Sequence, residues 1–454
     1  MKNINLPSNS MMLSKDFLFG VATSSFQIEG DRKGRLDCIW DTFCEEDGTI
    51  SDATNGDIAC DHVALWKQDV ALIENLGVDA YRLSISWPRV MLQDGTVNEV
   101  GMQFYVNLVN EIVKRGMKVF VTLYHWDLPQ YLEDDGGWLN RDTAYAFEKY
   151  AEAVAKALGE KVYSYATLNE PFCSAYLGYE AGIHAPGKTG MGNGRKAAHH
   201  LLLAHGLALK VLNHHCPSSQ NGIVLNFSNC HTTTDSEPDK RAAKLADDYH
   251  NQWYLQPIIE GRYPDVIDML DADSKPEIFE GDMDIISQPI DYLGINYYTR
   301  TLYQSDGNGW FEIVPPETNE LTAMGWEITP DAFAELLIEL NERYDLPPIY
   351  ITENGAAMDD VLNDGEVIDD TRTAYFHTHL NAVNQAIDKG VDIRGYFAWS
   401  LMDNFEWALG YSKRFGIVYV DYDTQKRTLK QSALAYSKLV KSRISGYISG
   451  IKEE

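Results

Sequence analysis

Two glutamates have the side-chain type and the setting for acid–base and nucleophilic work. Glu170 stands in Thr167-Leu168-Asn169-Glu170-Pro171, and Glu353 in Ile351-Thr352-Glu353-Asn354-Gly355. Each follows a short apolar, β-branched or aromatic stretch and precedes a strand-stopping signal, Pro in one case and Asn-Gly in the other. Both carboxylates are therefore expected at strand ends. Strand ends facing a common mouth are where barrel enzymes carry their chemistry. Two carboxylates in one pocket can divide the cleavage of a glycosidic bond, one giving a proton and the other attacking carbon. The two glutamates are far apart in sequence, so only a fold can bring them together.

The chain alternates strand-like and helix-like segments. Strand candidates are residues 17–22, 80–85, 118–123, 163–168, 222–227, 292–296, 349–352 and 395–400. Helical periodicity marks residues 59–76, 103–115, 144–158, 197–214, 239–259, 330–343 and 371–389, and a helix over 431–443 closes the series. Gly116, Gly159 and Gly390 fall just after helical patterns, where left-handed C-caps are expected. Alternation of this kind makes parallel βαβ units. Eight of them give an α/β chain folded as a single (β/α)8 TIM barrel. One catalytic domain over residues 1–454 is expected, with residues 1–12 as a flexible tail. The long loops at 33–55, 182–195 and 303–325 are the candidates for walls of a pocket.

Composition excludes several classes. A net charge of −29 supplies no Lys/Arg excess to neutralise phosphates, so nucleic acid is not expected as a partner. Binding to anionic membrane surfaces is equally disfavoured. No run of about 18 apolar residues reads as a membrane span. The polar N-terminus lacks the apolar core of a secretory signal. The 6 cysteines are sparse and contain no C-x-x-C, which suits free thiols in a reducing cytoplasm better than a disulfide or zinc framework. His199, His200, His205, His214 and His215 share one helical stretch without H-E-x-x-H spacing, and the glycines of 187–194 lack G-K-[ST]. Neither metal nor cofactor is expected. A neutral small molecule is the natural partner, and homo-oligomerisation stays open.

Further motifs accompany the glutamates in order. They are Phe17-Leu18-Phe19-Gly20-Val21-Ala22-Thr23-Ser24-Ser25-Phe26-Gln27-Ile28-Glu29-Gly30, Tyr81-Arg82-Leu83-Ser84-Ile85-Ser86-Trp87, Tyr124-His125-Trp126-Asp127-Leu128-Pro129, Ile295-Asn296-Tyr297-Tyr298 and Trp399-Ser400-Leu401-Met402-Asp403-Asn404-Phe405-Glu406-Trp407. Together the motifs resemble those of glycoside hydrolase family 1, the β-glucosidases and relatives, over nearly the whole chain. The resemblance implies retaining hydrolysis of terminal β-D-glucosides or cello-oligosaccharides such as cellobiose, with β-galactosides and β-fucosides as secondary substrates. In that pattern Glu353 is the nucleophile, kept ionised by Arg82 and Tyr298, and Glu170 is the acid/base, kept protonated by the charge on Glu353. Asn169 would bind the sugar 2-hydroxyl, while Gln27, His125 with its neighbour Trp126, and Glu406 would meet the remaining hydroxyls. Trp399 would form the apolar floor, Trp407 the rim beside Glu406, and Trp326 the platform for the aglycone. Asn296 would support the pocket through hydrogen bonds near Glu353.

The same resemblance leaves rivals. A phospho-β-glucosidase needs a cationic cradle for the 6-phosphate, and Glu406 would repel one, although Lys413 and Arg414 follow closely. A transglycosylase uses the same residues. A non-catalytic sugar-binding protein on the same barrel would have no need of both carboxylates.

Overall fold

The structure is a computed structural model that describes residues 2–316, 318 and 320–443. Eight parallel strands close a barrel: β1 (Leu18–Ala22), β2 (Ala80–Ser84), β3 (Lys118–Tyr124), β4 (Ser164–Asn169), β5 (Gln220–Phe227), β6 (Tyr292–Tyr297), β7 (Ile349–Asn354) and β8 (Ile393–Trp399). Each strand pairs with its sequence neighbours, and β1 closes the ring on β8 from Leu18↔Gly395 to Ala22↔Trp399. All eight expected strands are present. Their residues are buried nearly throughout, which explains why they read as continuous apolar, β-branched and aromatic runs rather than alternating ones.

The barrel is a packed core, not a pore. Phe120, Tyr292, Tyr350 and Phe397 fill its lumen, with Phe120 in edge-to-face contact with Phe397 at 4.7 Å and with Tyr350 at 5.3 Å. Gly20 makes room for this layer, since a Cβ there would stand 2.4 Å from the Phe397 ring. The site above rests on this aromatic floor.

The connecting helices are α1 (His62–Leu76), α2 (Glu99–Lys114), α3 (Asp142–Leu158), α4 (Met191–His215), α5 (Glu237–Asp247), α6 (Trp253–Glu260), α7 (Pro330–Arg343), α8 (Asp370–Asp388) and α9 (Gln431–Lys441). Helix α1 starts later than residue 59 because Ala59 and Asp61 adopt left-handed backbone (φ 48° and 49°). The single helix expected over 239–259 is two helices joined by a widened π turn at Asp248–Gln252. Pro257, which has no N–H to donate, lies one turn inside the second. Gly116 and Gly390 have the expected positive φ of 80° and 98°. Gly159 departs from the expectation: its φ of 58° comes with ψ of −152°, outside the left-handed helical basin, and the chain runs on into a tight turn.

Two further expectations are corrected. Residues 2–12 are not a loose tail: Ile4, Ser10 and Met12 are buried, and Asn5 N–H donates to His377 Nδ1. The loop over 303–325 contains structure of its own, with strands Thr301–Ser305 and Phe311–Val314 joining Cys230–Thr232 in a small three-stranded sheet. Among the described residues no helix is long and apolar enough to cross a membrane.

Candidate active site

Glu170 directly follows β4 and Glu353 lies in the last turn of β7, both at the C-terminal rim of the barrel. The hydrogen-bond ladders slip at these two places, between Ala166 and Asn169 on β4 and between Ile351 and Glu353 on β7. Local irregularities of this kind re-aim side chains beside active sites. Glu170 itself has a left-handed backbone (φ 45°), as do Trp126 (78°) and Trp407 (46°) on neighbouring loops. Such conformations are uncommon for non-glycine residues, and these three border one cavity.

The two carboxylates are partnered unequally. Glu353 Oε1 accepts from Arg82 Nη1 at 2.6 Å, and Oε2 accepts from the Tyr298 hydroxyl at 2.6 Å. Glu170 Oε1 accepts from the Asn296 amide at 2.6 Å, and Oε2 from the Cys173 thiol at 3.0 Å. Asn169 ties the two halves together. Its Oδ1 accepts from Arg82 Nη2 at 2.7 Å and from Asn296 Nδ2 at 3.1 Å, while its Nδ2 lies 3.2 Å from His125 Nε2. Thr352 donates to Asn296 Oδ1 at 2.7 Å, which turns the amide N–H groups toward Glu170 and Asn169. Asn296 thus reaches Glu170 most closely, and through Thr352 and the β6–β7 register it also abuts Glu353.

Burial pushes the Glu170 carboxyl up to about 7, and the charge on Glu353 adds to the effect. The sequence points to the charge on Glu353 as the cause, and burial is the larger one. Burial also raises Glu353, against the downward pull of Arg82 and Tyr298. Glu353, which holds the ion pair, ionises before Glu170. Glu406 is the third carboxyl, half-buried at the cavity wall and pushed up to about 8 by its enclosure and then by the charges of Glu353 and Glu170. Burial, together with the charge of Arg82, keeps His125 far below its usual value and hence neutral.

These groups surround a cavity of about 300 Å³ at the barrel mouth. His125, Trp126, Glu170, Tyr298, Trp326, Glu353, Trp399, Glu406 and Trp407 line it. Arg82, Asn169 and Asn296 stand behind this layer and orient it through the bonds above. Gln27 is wholly buried, with Oε1 accepting from Ser24 and Nε2 donating to Asn404 Oδ1 and the Phe405 carbonyl. Trp126 spends its indole N–H on the Asn169 carbonyl at 2.8 Å, so only its ring faces the cavity. Trp407, expected at the rim, is 3% exposed and packs against Phe26, Trp40 and Trp126. Trp326 is half-buried and meets Tyr298 at 5.5 Å.

Several lining residues escaped the sequence reading, among them Cys173, His184, Asn226 and Phe415. Asn226 near the end of β5 obeys the strand-end rule and was findable on that ground. Cys173 carried only its spacing from Glu170. Lys413 and Arg414 do not line the cavity: Lys413 donates to the Ala323 carbonyl at 2.7 Å, and Arg414 pairs with Asp403 at 2.6 Å. The histidines of α4 are engaged structurally. His199 bonds Tyr263 and Asp282, His200 faces the Trp138 carbonyl and His205 bonds Thr167.

The chain is 45% identical over 445 residues to a β-glucosidase of Agrobacterium sp. (strain ATCC 21400), covering 96% of each. It is 42% identical to a bifunctional β-D-glucosidase/β-D-fucosidase of Bifidobacterium breve, covering 95% of this chain and 98% of that one. The fold superposes with a TM-score of 0.91 on the β-glucosidase from Thermotoga maritima in complex with glucoimidazole, at 43% identity over 94% of this chain and 98% of that one. The family model for glycosyl hydrolase family 1 matches residues 9–444. The chain belongs to glycosyl hydrolase family 1 and is a glycoside hydrolase.

Proposed function

We propose that the protein is a retaining β-glucosidase, acting on terminal non-reducing β-D-glucosyl residues of small β-glucosides and cello-oligosaccharides, with its full length serving as one catalytic unit. The observation that carries this reading is the unequal partnering of the two carboxylates. Arg82 and Tyr298 grip Glu353, which suits a nucleophile that must be charged, whereas Glu170 meets only a neutral amide and a neutral thiol. In the first step a Glu353 oxygen bonds to the anomeric carbon while the bond to the aglycone oxygen breaks, and the Glu170 proton goes to that oxygen. In the second, Glu170 takes a proton from water, the water oxygen bonds to the anomeric carbon from the opposite side, and the ester to Glu353 breaks. Two inversions leave the β configuration.

Asn169 has an amide proton beyond the one directed at His125, and a sugar 2-hydroxyl is its natural acceptor. The Trp399 ring suits the C–H face of an all-equatorial sugar. Glu406, with Gln27 bonded beside it, can hydrogen-bond a 4-hydroxyl of either orientation, which supports β-galactosides and β-fucosides as secondary substrates. A 6-phosphate is disfavoured because Lys413 and Arg414, the cations that follow Glu406 in sequence, are committed elsewhere and do not line the cavity. The six free cysteines fit a reducing, cytoplasmic setting. The test is proton NMR of an aryl β-glucoside during turnover. The β-anomer of glucose is expected first, and α-glucose as the initial product would overturn the double displacement.

A further inference from the structure

We propose that Cys173 is a positioning residue for Glu170, its thiol holding one carboxyl oxygen while the Asn296 amide holds the other. This rests on the reading of Glu170 as the acid/base.

The local sequence makes the contact. Glu170 sits in the left-handed region, Pro171 follows, and a π-helix begins at Cys173 and runs to Glu180. Wide turns of this sort recur at functional sites because they change where side chains point. Two bonds link the same pair of residues. Cys173 N–H donates to the Glu170 carbonyl at 2.9 Å, and Cys173 Sγ donates to Glu170 Oε2 at 3.0 Å. Cys173 is 8% exposed and borders the cavity.

The surroundings explain why a weak donor suits this place. Glu353 and Glu406 face Glu170 as carboxyls and Tyr298 as a phenol, while Tyr254 lies beside Cys173 and His184 shares the cavity wall as an imidazole that burial lowers to about 4 and so keeps neutral. The cation in the cluster, Arg82, is spent on Glu353 and Asn169. A cation on Oε2 would hold Glu170 ionised and forbid proton donation in the first step. No donor at all would leave the carboxyl free to turn and the carboxylate of the second step poorly stabilised. Burial and the neighbouring Glu170 push the Cys173 thiol well above its usual value, so it remains S–H and keeps donating. A thiol donates weakly, so it steadies the carboxyl without fixing its charge.

The experiment measures kcat/KM against pH for Cys173→Ala and Cys173→Ser, on one β-glucoside with a poor leaving group and one with a dinitrophenyl group. Cys173→Ala should move the alkaline limb upward by about half a unit and lower the rate on the poor leaving group about tenfold, sparing the activated one. Cys173→Ser, which restores a donor, should recover most of both. An alkaline limb and leaving-group ratio unchanged in Cys173→Ala would overturn the proposal. So would equal losses on both substrates, the mark of a merely structural role. If Cys173→Ala does not fold, Cys173→Val carries the same test. Glu170→Gln run beside them separates the two levels: if it fails to discriminate between leaving groups, the acid/base reading fails, whatever Cys173 does.

Discussion

Two clusters of three carboxylates, one packed under the loops and one lining the cavity, are partnered in opposite ways. Asp360, Asp369 and Asp403 face three cations. Arg372 bonds Asp360 and Asp369, Arg414 bonds Asp403, and Lys430 bridges Asp360 at 2.5 Å and Asp403 at 2.6 Å. Asp403 also accepts from the Gly416 and Val420 amides, and Asp369 from both N–H and hydroxyl of Ser432. Glu170, Glu353 and Glu406 share Arg82, which bonds Glu353 alone. The outcomes diverge accordingly. Burial alone would raise Asp360, but the hydrogen bonds and charge of Arg372 outweigh it and the carboxyl ends below its ordinary value. In the site burial wins, and all three glutamates end above theirs. The first cluster fastens the loops after β7 and β8, which carry Glu406 and Trp407, to the start of α9. The second keeps protons available near neutrality, at the expense of local stability.

The largest expected effect is on chemistry. Glu353→Gly should lower kcat by at least about 10⁴-fold on any glucoside, because it removes the attacking atom. Circular dichroism and a melting curve should show an intact fold, and near-wild-type turnover would refute the assignment. Glu170→Gln should lower kcat/KM by about 10² to 10⁴ on poor leaving groups and much less on activated ones. A uniform loss across leaving groups would remove Glu170 from proton donation.

The paired cluster should answer in stability instead. Asp403→Asn strands buried positive charge on Lys430 and Arg414, and unfolding in urea should show a loss of about 3–5 kcal/mol. A loss below about 1 kcal/mol would mean that the network holds nothing together. The smallest effect has the opposite sign. Glu406 has a folded value near 8, above its unfolded one, so the folded state binds the extra proton between about pH 4.3 and 8. Stability from this group therefore falls as pH rises through that window. Glu406→Gln should raise the melting temperature by a few degrees at pH 8 and above, and leave it nearly unchanged at pH 5. Asp360 runs the other way: its contribution is present above about pH 4 and fades as pH falls through its lowered folded value.

The barrel was legible because strands buried on both faces announce themselves as apolar, aromatic and β-branched runs, as residues 349–352 do before Glu353. Helix starts were less so, since they depend on backbone such as the left-handed Asp61, which no periodicity encodes. The two glutamates stood out because strand-stopping residues follow them. Asn226 obeys the same strand-end rule but has no strand-stopping residue directly after it, and Cys173 did not stand out because its placement follows from the π-helical turn that begins there, a three-dimensional fact. The charge balance was half legible. Arg82 and Glu353 could be paired from motifs, whereas the dominance of burial over that pair requires knowing that every member is enclosed.

The site holds its carboxyls short of cations, with Arg82 bonded to Glu353 among the three. Carbonyl-selective isotope labelling of glutamate, with infrared or NMR titration of Glu170 in the wild type and in Glu353→Gln, tests it directly. Glu170 should titrate near 7 in the wild type. In Glu353→Gln it should fall, yet stay above the usual carboxylate range, because burial is the larger cause. A Glu170 that titrates near 4 in the wild type, or one indifferent to the loss of the Glu353 charge, would contradict the account.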